Sequence, residues 1–153
     1  MALKQTEWAT GQRATASACR AGDAMVMELT YTIKDGETLA STDKVELGLL
    51  PAFHHIVNAT LVNDALGGTT TLDVGIMSGS VGEKDDTRTV GNELFDGADV
   101  ATAAATPMTS ATGFRLESTD NHRSIGMTPS ANVSASGSDL AVTLVVVYAP
   151  SSN

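Results

Sequence analysis

Nine residues in the first quarter of the chain alternate without a break. In MVMELTYTI, residues 25–33, Met25, Met27, Leu29, Tyr31 and Ile33 fall on one side of an extended backbone, with Glu28, Thr30 and Thr32 on the other. A period of two is the signature of a strand with one buried face, and it rules out a helix here. Such a strand needs a neighbour to pair with and a second layer to pack against. The KDGE that follows, residues 34–37, supplies a turn, because Asp35-Gly36 accepts the positive φ that tight turns demand.

The same pattern returns down the chain. KVELGLL from Lys44 reads as a strand stopped by Pro51, which has no N–H for a ladder. HHIVNATLV from His54 is a third, and TTTLDVGIM, after the loop NDALGG, is a fourth with Leu72, Val74 and Ile76 inward. Residues 78–93, SGSVGEKDDTRTVGNE, are polar and glycine-rich without period, which predicts a long exposed loop. In ELFDGADVATAAATPM, Asp96 or Asp99 is placed to cap one short helix through the alanines before Pro107. TGFRLES, HRSIGMTP and DLAVTLVVVYA then read as strands, and a weaker candidate lies between Arg13 and Cys19. Eight short strands with turns between them predict an all-β chain folded as an antiparallel β-sandwich. A jelly roll is the first choice and an immunoglobulin-like sandwich the second. Residues 23–153 are expected to form that domain and residues 1–22 an extended N-terminal arm.

Charge divides the chain in the same place. Lys4, Arg13 and Arg20 against Glu7 give residues 1–22 a charge of +2, which leaves −11 for the rest of a chain whose total is −9. So acidic a body repels phosphate backbones and anionic lipid, and neither nucleic acid nor membrane is expected as a partner. The opening residues contain no apolar run of signal-peptide length, and LVVVYA is far too short for a membrane span, so synthesis in a cytoplasm is expected. The sequons at Asn58 and Asn132 then carry no glycan, and the single Cys19 makes no internal disulfide. Aromatic residues make up only 4% of the chain. The core must therefore be built of Val, Leu, Ile, Met and Ala, and burial between subunits is expected to supplement it, in a dimer or a trimer.

No chemical constellation stands out. His54 and His55 are adjacent at a strand start, where neighbouring side chains point to opposite faces. They cannot ligate one metal or act as an acid-base pair, and they mark the rim of a sheet instead. GIMSG and SGSVG both miss the spacing of a nucleophile elbow. The acids Glu83, Asp85, Asp86, Asp96 and Asp99 lack the order of a calcium loop and read as a solvated run. Neither a phosphate-cradling glycine motif nor a basic aromatic platform for single strands is present. No enzyme activity, cofactor or metal is expected. A binding role is expected instead, with Trp8, Arg13, Arg20, Phe53 and His54 as candidate contacts. Trp8 is the only tryptophan, and on a polar segment it gains from a partner that buries it.

The order of strand, ELGLLPA, strand ending in LVNDALGG, TTTLDVGIM and closing hairpin into LAVTLVVVYA resembles the head decoration, or cement, proteins of tailed bacteriophages. The resemblance covers residues 23–77 and 112–149. It implies a β-sandwich that oligomerises on the outer surface of a capsid, a homotrimer in preference to a homodimer, and bridges subunits of the major capsid protein against internal DNA pressure. A phage tail or fibre component, or a carbohydrate-binding module, is the second reading.

Overall fold

The computed structural model describes residues 2–6, 9–10 and 23–151. In chain order these form β1 (Leu3–Gln5), β2 (Met25–Ile33), β3 (Thr38–Leu39), β4 (Lys44–Leu50), β5 (His54–Asn63), β6 (Thr71–Ile76), β7 (Phe95–Asp99), β8 (Ala104–Pro107), α1 (Ala111–Phe114), β9 (Arg123–Pro129), β10 (Val133–Ser134) and β11 (Leu140–Pro150). Sheet A has five strands in the order β1-β4-β9-β6-β7, and sheet B four in the order β2-β11-β5-β8. β10 and β3 make a small separate ribbon.

The eight longer strands pair as one long hairpin. The first pairs with the last (β2 with β11), the second with the seventh (β4 with β9), the third with the sixth (β5 with β8) and the fourth with the fifth (β6 with β7). Rolling that hairpin up adds the pairs β11–β5 and β6–β9. This is the connectivity of a jelly roll, and the expected sandwich is the observed fold. β1 is an addition, laid parallel on the free edge of β4.

Alternation explains the core. Met27, Leu29 and Ile33 of β2, Val142, Leu144 and Val146 of β11, and Ile56, Ala59 and Leu61 of β5 point inward from sheet B. Val45 and Leu47 of β4, Leu72 and Val74 of β6, and Ile125 and Met127 of β9 meet them from sheet A. Each of the valine, leucine, isoleucine and methionine side chains contributes about 1.5–3 kcal/mol when fully buried. The core is built from the aliphatic residues and methionines that the composition demands.

Three expectations change. The alanine-rich stretch is two strands, β7 and β8, rather than a helix: residues 104–107 pair with Asn63 to Thr60 on the free edge of β5. Asp99 turns the chain by accepting from the Ala101 N–H (2.9 Å), so it does not cap a helix. A sheet edge with partners to offer overrides alanine's helix propensity. TGFRLES, expected as a strand, begins instead inside α1, where the Ser110 hydroxyl accepts from the Gly113 N–H (3.4 Å). Leu3–Gln5, expected in the arm, belongs to sheet A, with Thr6 and Ala9 buried after it. Residues 11–22, including the weak strand candidate, lie outside the described residues.

The loop at residues 78–93 is largely exposed, as its composition predicts, but Arg88 folds back from it onto the outer face of sheet A. Arg88 is only 2% exposed and Glu46 of β4 is 0% exposed. Arg88 Nη1 donates to Glu46 Oε2 at 3.2 Å, Nη2 to the Ser124 hydroxyl at 2.8 Å, and Nε to the Ser78 carbonyl at 2.6 Å. Glu46 also accepts from the Gly82 N–H at 2.9 Å, from Gln5 Nε2 at 2.5 Å and from the Ser124 hydroxyl. The loop settles this close because Gly75 and Gly126, cross-strand neighbours on that face, have no Cβ; one at Gly75 would strike Glu93 and Gly91, and one at Gly126 would strike Met77.

Burial pushes the Glu46 carboxyl up, but the bonds from Gly82, Ser124, Gln5 and Arg88 outweigh it and hold the group below its usual range. A lowered folded value means that Glu46 stabilises the fold above the unfolded carboxylate range and loses that effect as pH falls through the folded value. Arg88→Ala strands a buried carboxylate, and we expect it to cost about 3–5 kcal/mol in urea unfolding at neutral pH. The stability gap between the natural chain and Glu46→Gln should close as pH drops below about 4. A gap that stays constant with pH would show that Glu46 is not ionised in the fold.

Candidate interaction surface

One pole of the sandwich is built around the corner between β4 and β5. Pro51 ends β4, and Phe53 turns the chain into β5 at φ 60°, the one non-glycine residue with positive φ among the described residues. That left-handed conformation costs about 1 kcal/mol or more for a bulky side chain. It is held from several sides. The Phe53 N–H donates to the Thr119 carbonyl (2.7 Å), and the Phe53 carbonyl accepts from the Ser151 N–H (2.8 Å).

All three histidines brace this corner. The Ala52 N–H donates to His122 Nδ1 (3.0 Å), and His54 Nδ1 donates to the Ala52 carbonyl (2.7 Å). His55 Nδ1 lies 3.1 Å from the Ser151 hydroxyl. His54 also sets its ring edge against Tyr148 (centroids 5.5 Å apart, 62° between planes), and its Nε2 is enclosed without a hydrogen-bond partner. Their nitrogens serve separate backbone and hydroxyl groups rather than a common point. Among the described residues no three His, Cys, Asp or Glu side chains are grouped to hold a metal ion.

The corner holds its aromatic ring outward. Phe53 is 60% exposed, the most exposed of the large apolar side chains among the described residues. Phe114 of α1, 49% exposed, stands on the same pole beside a cleft of about 430 Å³ lined by His55, Phe114, Arg115, Leu116, Glu117, Ser118 and Ser151. α1 is fixed there because Gly113 is packed against Met108 and the Glu93 carbonyl, with no room for a Cβ. Of the contacts expected from sequence, Phe53 is displayed and His54 is a half-buried brace behind it. Trp8, Arg13 and Arg20 lie outside the described residues. Phe114 was hidden in the sequence by the strand expected over TGFRLES.

No family model matches the chain, and no curated protein does. Among solved structures, a chain in the capsid of Ralstonia phage GP4 is 35% identical, with a TM-score of 0.85 over 99% of this chain and 100% of that one. The chain belongs to a family of bacteriophage capsid proteins. A chain in the capsid asymmetric unit of cyanophage Pam1 shares the fold at 20% identity, with a TM-score of 0.59 over 92% and 96% of the two chains. The role of this capsid protein is structural, in keeping with a surface that offers rigid apolar contacts.

Strain at the corner of this capsid protein is testable. Phe53→Gly removes the left-handed penalty and a largely exposed ring, while adding backbone freedom to the unfolded chain. These terms nearly cancel, and stability is expected within about 1 kcal/mol of the natural chain. A loss of 3 kcal/mol or more in thermal unfolding would mean that the ring is packed rather than displayed.

Proposed function

We propose that this protein decorates a capsid from the outside, bridging neighbouring major capsid subunits and stabilising the shell. The observation that carries the reading is the full-length 35% identity to a chain of the GP4 capsid. Two properties of this chain support its finer parts. The Phe53 corner is a rigid, exposed aromatic contact braced by His54 at the start of β5, by Thr119 and by Ser151 just past the end of β11, and one aromatic ring in a partner's pocket often dominates an interface. A net charge of −9 disfavours the inner shell surface, where packaged DNA presents phosphate, and so supports the outer one.

In this reading the N-terminal segment is a second contact. Trp8 is its anchor and Arg13 and Arg20 its charged guides. Lys4 has a local role instead, 3.7 Å from Asp43 within the body's own sheet. A decoration protein with two separate contacts can span two shell subunits, and the second contact gains from the effective concentration created by the first.

The test is co-sedimentation of the purified chain with particles that lack it. Phe53→Ala and Trp8→Ala are each expected to weaken binding about 30-fold or more, the size of a hot-spot loss, while thermal unfolding of the free protein stays close to that of the natural chain. Particles that gain no resistance to heat-induced DNA release when the chain binds would contradict the stabilising role. Undiminished binding by Phe53→Ala would remove the corner from the interface.

A further inference from the structure

Four strands form the edges of the two sheets: β1 and β7 in sheet A, β2 and β8 in sheet B. A free edge presents a row of unpaired N–H and C=O groups, and proteins blunt such edges with shortness, proline, bulges or charge. β1 has three residues. β7 carries Gly97 at φ 63° and a register shift against β6. β8 has four residues and ends in Pro107. β2 has almost none of these devices. It runs for nine residues without proline or glycine, keeps unbroken register with β11 and carries one charge, Glu28. Among the described residues no strand pairs with its outer edge.

We propose that β2 pairs with β2 of a second copy, antiparallel across a two-fold axis at Leu29, fusing the two sheets B into one continuous sheet. The residues of β2 suit this occupant in one register. With the axis at Leu29 all nine residues pair: Glu28 faces Thr30 of the partner subunit, Val26 faces Thr32, and on the core side Met27 faces Tyr31 and Met25 faces Ile33. An axis at Glu28 sets two carboxylates directly opposite each other, which is destabilising. An axis at Thr30 leaves Met25 and Val26 unpaired.

The surroundings favour a second copy as well. Two bodies of like charge can approach only where charge is sparse. On the outer face beside β2, β11 carries Ala141, Thr143, Val145, Val147 and Ala149, none of them ionisable, and the acids near the strand, Glu37 and Asp43, act on Tyr31 on the core side. The pairing also covers Val26, more than half exposed, and the edge-facing Met25 and Tyr31, which are only partly buried in the single copy. A strand of this length spans about 30 Å. Edge pairing alone is smaller than a standard interface, so the dimer is expected to be in the micromolar range and concentration-dependent.

The test is sedimentation equilibrium of the full chain from about 5 to 200 µM at physiological salt, where charge repulsion is screened beyond about 8 Å. The natural chain should approach twice its 15.7 kDa mass at the upper end. Thr30→Glu places a carboxylate opposite Glu28 of the partner subunit twice in each dimer, and is expected to weaken association about tenfold. Glu28→Lys combined with Thr30→Glu should restore it, because the new lysine then faces the new glutamate. Thermal melts of each variant confirm that the body is folded. A natural chain that stays monomeric at 200 µM, an oligomer that Thr30→Glu leaves intact, or a double variant that fails to recover association would each overturn the proposal. The result does not depend on what the Phe53 pole binds.

Discussion

Glu46 is a carboxylate with no exposed surface, placed on the outward side of a strand in the middle of sheet A. A lone charge there would be prohibitively costly, so something has to cover and match it. Arg88 does so from a loop 42 residues away in the chain, and Ser124, Gly82 and Gln5 supply the remaining bonds. Through this one group the loop at 78–93, the β1 segment and strand β9 are tied to β4. Sheet A thereby acquires a fixed polar cover, whereas sheet B keeps a bare outer face dominated by threonine, valine and alanine, with Glu28 its one acid on β2. The two sides of the molecule are chemically different because of a buried ion pair.

That asymmetry bears on assembly. A covered sheet, a bare sheet and a pole with two outward aromatic rings give the jelly roll three distinct surfaces. The pole is stiff because the Phe53 backbone is held by Thr119 and Ser151 while His54 and His122 hold Ala52. A contact that is rigid before binding loses little conformational entropy on docking. Such pre-organisation suits the proposed decoration role.

Much of the fold was legible because strands with one buried face must alternate. The ranges for β2, β4, β5, β6, β9 and β11 follow from period-two apolar residues closed by Gly36, Pro51 and Gly67-Gly68. β7 and β8 were not legible. FDGAD and AATP contain too few apolar residues to show a period, and their strand character comes from pairing with β6 and β5. Local propensity loses to a sheet edge in need of a partner. Phe53 was legible as the residue between Pro51 and the histidine pair, whereas its φ of 60° was not. The Glu46–Arg88 pair left only half a signal: a glutamate inside KVELGLL is conspicuous, but nothing in VGEKDDTRTV separates the arginine that folds back from the charges that stay in water.

Electron cryo-microscopy of the assembled particle tests the central claim most directly. The proposed decoration role predicts one sandwich on the outer surface wherever shell subunits meet, with the pole bearing Phe53 and Phe114 against the shell. Density for the sandwich on the inner surface, or an orientation in which Phe53 points away from every neighbouring subunit, would contradict it.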